Sequence, residues 1–94
     1  MWPKISINYS PNFNVIKRPK KNIKFIIIHY TGMRNELSAL NRLCNKEAKV
    51  SAHYFIKKNG SVFNLVPPLY EAWHAGESCW KDLKSLNRNS VGIE

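Results

Sequence analysis

Asn59-Gly60 stands between two strand-like runs, residues 51–57 and 61–66, and nothing else in the chain restricts its fold as strongly. The pair suits the positive φ angles of a tight turn, so the two runs are predicted to fold back on each other as a hairpin. Pro67-Pro68 ends the second strand, because proline has no N–H to give to a ladder. Residues 24–30 read as a further strand in which β-branched Ile repeats without polar alternation, a pattern that predicts burial on both faces. Thr31-Gly32 breaks it. Leu37, Leu40, Leu43 and Cys44 then recur at helical spacing and predict a helix over 36–46, with Asn35 as its N-cap. Residues 69–88 are expected as a long surface loop carrying Tyr70, Trp73 and Trp80, and residues 90–93 as a last short strand delivering Glu94. The order β–α–β–β–loop–β implies an α/β fold, a mixed β-sheet with flanking helices, cut short before its later helices.

Ahead of this pattern, residues 1–22 hold Pro3, Pro11 and Pro19 and the basic Lys4, Lys17, Arg18, Lys20 and Lys21, with no acid. They read as an extended arm over the domain, leaving 23–94 as the domain portion. Ninety-four residues allow one domain at most, with a thin stability margin. Fifteen Lys and Arg against six acids give a formal charge of +9, which would draw polyanions to the surface. A nucleic-acid binder would interleave aromatics with those cations. Here the cations are densest in the arm, away from Trp73 and Trp80, so nucleic acid is not an expected partner. Cys44 and Cys79 form no C-x-x-C pair and are expected as reduced, partly buried thiols. The start of the chain lacks the apolar stretch of a signal peptide, and the longest apolar run, Phe25–Ile28, is four residues. The expectation is a chain without a membrane span that acts in the cytoplasm, with the bacterial periplasm second.

His29 lies where a buried strand gives way to a turn, a place from which an imidazole can reach a crevice and bind metal. Taken alone, such a His is more often structural. His53 and His74 invite completion of a three-His site, since catalytic zinc needs three protein ligands and one open position. One stands on a strand and the other in the loop.

Four islands follow one another: Phe25-Ile26-Ile27-Ile28-His29-Tyr30-Thr31-Gly32-Met33, Val50-Ser51-Ala52-His53-Tyr54-Phe55-Ile56, Ala72-Trp73-His74-Ala75-Gly76 and Asn89-Ser90-Val91-Gly92-Ile93-Glu94. In order and phrasing they resemble the front part of the zinc-dependent N-acetylmuramoyl-L-alanine amidase family. Ser10-Pro11-Asn12-Phe13-Asn14 with Arg18-Pro19 resembles the lead-in of its bacterial members, with a packing role. The resemblance implies hydrolysis of the amide between the lactyl group of muramic acid and the first stem-peptide residue. It implies Zn2+ as cofactor, His29 as the first zinc ligand, and Glu94 as the base that takes a proton from the attacking water and returns it to the leaving amine. Trp73, His74 and Trp80 would shape the substrate groove, and His53 would be a core or supporting residue. Some relatives carry a catalytic Tyr at the position of Ala52; this sequence resembles the branch relying on Glu. The family's other two ligands come from a Gly-His-Asp-type and a Lys-x-Asp-Pro-Gly-type stretch, and its oxyanion-stabilising Lys from the same later region. None of these is found here. The expected partners are therefore peptidoglycan or a muropeptide and, for an otherwise inactive or split fragment, a complementing C-terminal piece. The alternative is a non-catalytic peptidoglycan-binding module like the peptidoglycan recognition proteins. The last strand is expected to fray at Glu94, and the sheet to expose apolar surface that later helices would cover.

Overall fold

The computed structural model describes residues 5–29, 35–74, 79–80, 83–84 and 86–94. Strands β1 (Ile5–Ile7), β2 (Phe25–Ile28), β3 (Tyr54–Ile56), β4 (Val62–Asn64) and β7 (Ser90–Ile93) form a five-stranded mixed sheet in the order β1-β4-β3-β7-β2. Helix α1 (Glu36–Cys44) lies between β2 and β3 in sequence, and β5 (Cys79–Trp80) pairs with β6 (Leu83–Lys84) as a separate two-stranded ladder. The fold is the α/β arrangement with a mixed sheet that the pattern implies.

The hairpin forms where Asn59-Gly60 places it. Gly60 has φ +91, a value that disfavours a side chain, and Lys57 N–H bonds Ser61 O at 2.8 Å to close the turn. Asn59 Oδ1 accepts from Ser61 N–H at 2.9 Å, an Asx turn that adds to the closure. Helix α1 starts as expected, with Asn35 Oδ1 accepting from Leu37 N–H at 2.9 Å and Ser38 N–H at 3.2 Å. It stops at Cys44, two residues short of the predicted 46, because Asn45 is extended (φ −87, ψ 119) and caps a separate 3-10 turn, Lys46–Ala48.

Register decides which side chains share a face. Phe25 pairs with Ser90, Ile27 with Gly92, Phe55 with Phe63, and Tyr54 with Ile93. Side chains alternate along a strand and paired residues point the same way. One face therefore carries Phe25, Ile27, His53, Phe55, Phe63, Ser90 and Gly92. On this face Ala39 and Leu43 of α1 meet Phe55 and Leu65 to form the core, with Leu40, Cys44, Val50 and Phe63 packed around it. Burying each of the larger side chains is worth roughly 1.5–3 kcal/mol. The opposite face has no such cover among the described residues. Ile26 and Ile28 are 70% and 79% exposed there, with Ile5, Ile7 and Ile56 also exposed. The reading of residues 24–30 as a strand buried on both faces is thus corrected: a run of Ile reports strand propensity, while burial needs a layer on each side. Thr31-Gly32, the expected break, lies outside the described residues.

Two further expectations change. The arm contributes β1, which runs parallel to β4 at the sheet edge. Past β1 the arm is tied down by polar bonds: Ser10 Oγ donates to Leu43 O at 2.5 Å, and Asn12 Nδ2 donates to Asn45 O and Val50 O, each at 2.8 Å. The stretch 69–88, expected as a loop, contains the β5–β6 ladder and a 3-10 turn at Leu86–Asn89. No helix among the described residues is long and apolar enough to cross a membrane.

Candidate functional site

The covered face of the sheet gathers the chain's three histidines at the C-terminal ends of β2 and β7. His29 follows β2 directly, and its N–H donates to Ile93 O at 2.8 Å, carrying the ladder one step beyond the Ile28–Ile93 pair. His29 and Glu94 therefore leave adjacent parallel strands, roughly 4.8 Å apart, on the same face. Glu94 is bonded into the sheet through its main chain. Its N–H donates to Tyr54 O at 2.9 Å and its carbonyl accepts from Ile56 N–H at 3.1 Å, because β7 is flanked by β3 on one side and β2 on the other.

His53 is fully buried and locked to β7 by two bonds. Its backbone N–H donates to Gly92 O at 3.0 Å, and its ring Nδ1 accepts from Gly92 N–H at 3.0 Å. That acceptance places the ring proton on Nε2, which donates to Tyr70 O at 2.7 Å. Arg18 Nη2 comes within 3.3 Å of the same nitrogen, but both are donors. Arg18 instead directs its protons to Pro68 O (2.9 Å from Nη2) and Asn87 O (2.6 Å from Nη1). Burial lowers the His53 pKa from 6.5 to about 4; the bond to Tyr70 O opposes this and the Arg18 charge adds to it. With both nitrogens committed, His53 is a core residue.

His74 lies over β7. A Cβ on Gly92 would overlap three atoms of its ring, so the ring needs glycine at that station. Its main chain is set by neighbours: Trp73 N–H donates to Ser51 Oγ at 3.0 Å, Ser51 N–H to Trp73 O at 2.9 Å, and His74 N–H to Asn87 Oδ1 at 3.1 Å. His74 Nε2 lies 3.0 Å from Ser90 Oγ and Nδ1 lies 2.8 Å from His29 Nε2. The His74 pKa falls to about 3, first through burial and then through repulsion from His29, His53 and Arg18. At neutral pH the ring is uncharged and has a single N–H.

The direction of these bonds follows from proton counting. Ser90 has one hydroxyl proton, and it goes to Leu86 O at 2.7 Å, since a carbonyl can only accept. Ser90 Oγ must then accept from His74 Nε2–H. That leaves His74 Nδ1 as an acceptor, and His29 Nε2 carries the proton between the two rings. His29 Nδ1 keeps its lone pair, with no partner among the described residues.

Of the residues singled out from the sequence, His29, Glu94 and His74 converge on one face. Trp73 sits at its margin, half-buried, with its indole N–H donating to Asn14 Oδ1 at 2.9 Å. Trp80 lies on β5 by its backbone, paired with Leu83; the proposed groove role of its side chain, like Ala75 and Gly76 of the third island, lies outside the described residues. Tested as a zinc site, the donor set is partial. His29 offers one imidazole lone pair, His53 and His74 have theirs engaged, and no group of three His, Cys, Asp or Glu able to hold a metal occurs among the described residues. Sequence reasoning missed Ser90, Gly92, Ser51 and Arg18 as the frame of the site. Gly92 alone carried a signal, a glycine inside a strand, which marks a close approach.

Residues 19–94 match the family profile described as N-acetylmuramoyl-L-alanine amidase. The chain is 40% identical over 79 residues to the N-acetylmuramoyl-L-alanine amidase AmiD of Escherichia coli, covering 77% of this chain and 28% of that protein. Its fold is similar to AmiD of E. coli in complex with the substrate anhydro-N-acetylmuramic acid-L-Ala-D-γ-Glu-L-Lys, with a TM-score of 0.67 and 37% identity over 85% of this chain and 32% of that one. It is likewise similar to AmpDh3 of Pseudomonas aeruginosa in complex with anhydromuramic pentapeptide, with a TM-score of 0.68 and 30% identity over 85% of this chain and 36% of that one. The chain thus spans 28% to 36% of the length of these relatives.

Proposed function

The chain belongs to the N-acetylmuramoyl-L-alanine amidase family, and on that premise we propose that it carries one zinc ligand and the acid–base carboxylate of a muropeptide amidase. The substrate would be an anhydromuropeptide or peptidoglycan strand, cut between the lactyl carbonyl of muramic acid and L-alanine. The observation that supports this most directly is the parallel register of β2 and β7, which sets His29 beside Glu94 where two strands end. Zinc, when bound, polarises a carbonyl and makes water a nucleophile at neutral pH.

In this reading His29 directs its Nδ1 lone pair to the metal. Glu94, held by the Tyr54 and Ile56 backbone, takes the proton of the attacking water and delivers it to the leaving amine. Trp73 borders the groove on the side of the arm, where an aromatic edge can pack on sugar or stem peptide. A three-ligand site needs two further groups, which a complementing segment would supply. A second reading, a groove that binds wall fragments without hydrolysis, is favoured by the partial donor set among the described residues.

The test combines this chain with a segment carrying the family's later ligands, fused or in trans, and an anhydromuropeptide. Zinc-dependent release of L-alanine-headed peptide is the expected result. His29→Ala should lose the metal, whereas Glu94→Gln should keep it and lose about 10²–10⁴-fold in rate. Tight muropeptide binding with no release in the zinc-loaded complex would favour the second reading.

A further inference from the structure

We infer that His74 and Ser90 are positioning residues for His29, holding its ring in the tautomer that exposes Nδ1 as the metal-facing atom. The inference deepens the proposed function and rests on His29 being a ligand. Three bonds in series carry it: Ser90 Oγ–H to Leu86 O, His74 Nε2–H to Ser90 Oγ, and His29 Nε2–H to His74 Nδ1, at 2.7, 3.0 and 2.8 Å. Each link has one allowed direction once the first is fixed by a carbonyl. The proton on His29 is therefore set three bonds away, by a main-chain acceptor in the turn before β7.

Geometry as well as tautomer is fixed. The His29 and His74 rings meet edge to face, 5.0 Å between centroids at 76°, so swinging His29 about its χ angles breaks the bond. His74 itself is trapped between Gly92 below and the Ser51-bound Trp73 main chain beside it. A ligating His whose second nitrogen donates to a fixed acceptor binds metal in one orientation, and losing such a partner typically costs about 10–100-fold in metal affinity. His74 in this role faces the metal ligand rather than the substrate, which differs from the groove role expected from the sequence.

The 94-residue chain itself provides the test, uniformly ¹⁵N-labelled and examined at pH 7.5 by long-range ¹H–¹⁵N correlation of the imidazoles. His29 should be protonated at Nε2 with a bare Nδ1. Zinc salt, added together with a segment carrying the family's later ligands, should perturb His29 Nδ1 and leave the Nε2 proton in place. His74→Gln keeps an acceptor for His29 and should preserve this tautomer. His74→Leu and Ser90→Ala should mix the two tautomers and weaken the zinc response about 10–100-fold. Wild-type His29 protonated at Nδ1, zinc displacing the Nε2 proton, or an unchanged His29 tautomer in a folded His74→Leu variant would each overturn the relay. Should a variant fail to fold, the wild-type tautomer and the zinc response still decide. A relay found as described with no zinc response at His29 once the segment carrying the later ligands is supplied would instead overturn the ligand reading and with it the purpose assigned to the relay.

Discussion

Acid should unfold this protein through His53. The ring is wholly buried and both nitrogens are used, so a second ring proton would replace the Nδ1 lone pair and point at the Gly92 N–H, beside the Arg18 cation. The folded-state pKa is accordingly about 4, against 6.5 for an unburied His. Between those values the unfolded chain binds a proton that the folded chain refuses, so stability is full above pH 6.5 and declines as pH falls toward 4. At roughly 1.4 kcal/mol per pH unit, the whole span is worth about 3 kcal/mol, of which about 2 kcal/mol is lost by pH 5. His74, lowered to about 3, acts in the same direction. Urea titration followed by tryptophan fluorescence, at pH 7.5 and 5.0 and constant ionic strength, reads the effect. With a slope of about 1 kcal/mol/M for a small domain, the midpoint should fall by about 2 M or more. His53→Gln should be less stable at pH 7.5 but respond less to acid. Midpoints that coincide at the two pH values would mean that His53 titrates normally in the fold, and the buried neutral ring bonded to Gly92 would have to be abandoned.

Gly92→Ala should lower the urea midpoint by the equivalent of about 1–3 kcal/mol, because the new methyl overlaps the His74 ring and something must move. Asn12→Ala removes the amide that the arm donates to both Asn45 O and Val50 O, and should cost about 1–3 kcal/mol in the same assay. Equilibrium dialysis of the 94-residue chain against zinc should leave no tightly held stoichiometric metal; one zinc per chain, lost on His29→Ala, would mean that His53 or His74 gives up its bonds to become a ligand. Ile28→Lys, at a position 79% exposed, should change stability by no more than about 0.5 kcal/mol while reducing self-association and dye binding on the uncovered face. Sedimentation velocity of the unmutated chain as a clean monomer would show that these exposed isoleucines do not drive self-association.

The hairpin, the helix start and the last strand were legible because each rests on local chemistry. Asn59-Gly60 takes the turn whatever surrounds it, Asn35 caps α1 with its own side chain, and β7 occupies the four residues predicted for it, Ser90–Ile93. What failed depended on distant chain. β1 was invisible because Ile5 and Ile7 point away from the core, leaving no core-directed pattern to read. The Ile run of β2 predicted two buried faces, yet Ile26 and Ile28 are exposed on one of them.

Within the site the same division holds, with one instructive inversion. His29 and Glu94 were named by motif, and their adjacency is a consequence of parallel register between strands more than sixty residues apart in sequence, which local patterns do not encode. His53, which residue type alone invites as a third ligand, is the core or supporting residue expected of it: its ring Nδ1 accepts from Gly92 N–H and its Nε2–H donates to Tyr70 O. The role of His74 depends on Ser90, whose hydroxyl has no sequence signature, and on Gly92, whose missing side chain does. A glycine inside a strand was therefore the most informative mark of the site's geometry: it reports where a ring must lie, and the ring that lies there fixes the proton on the candidate ligand.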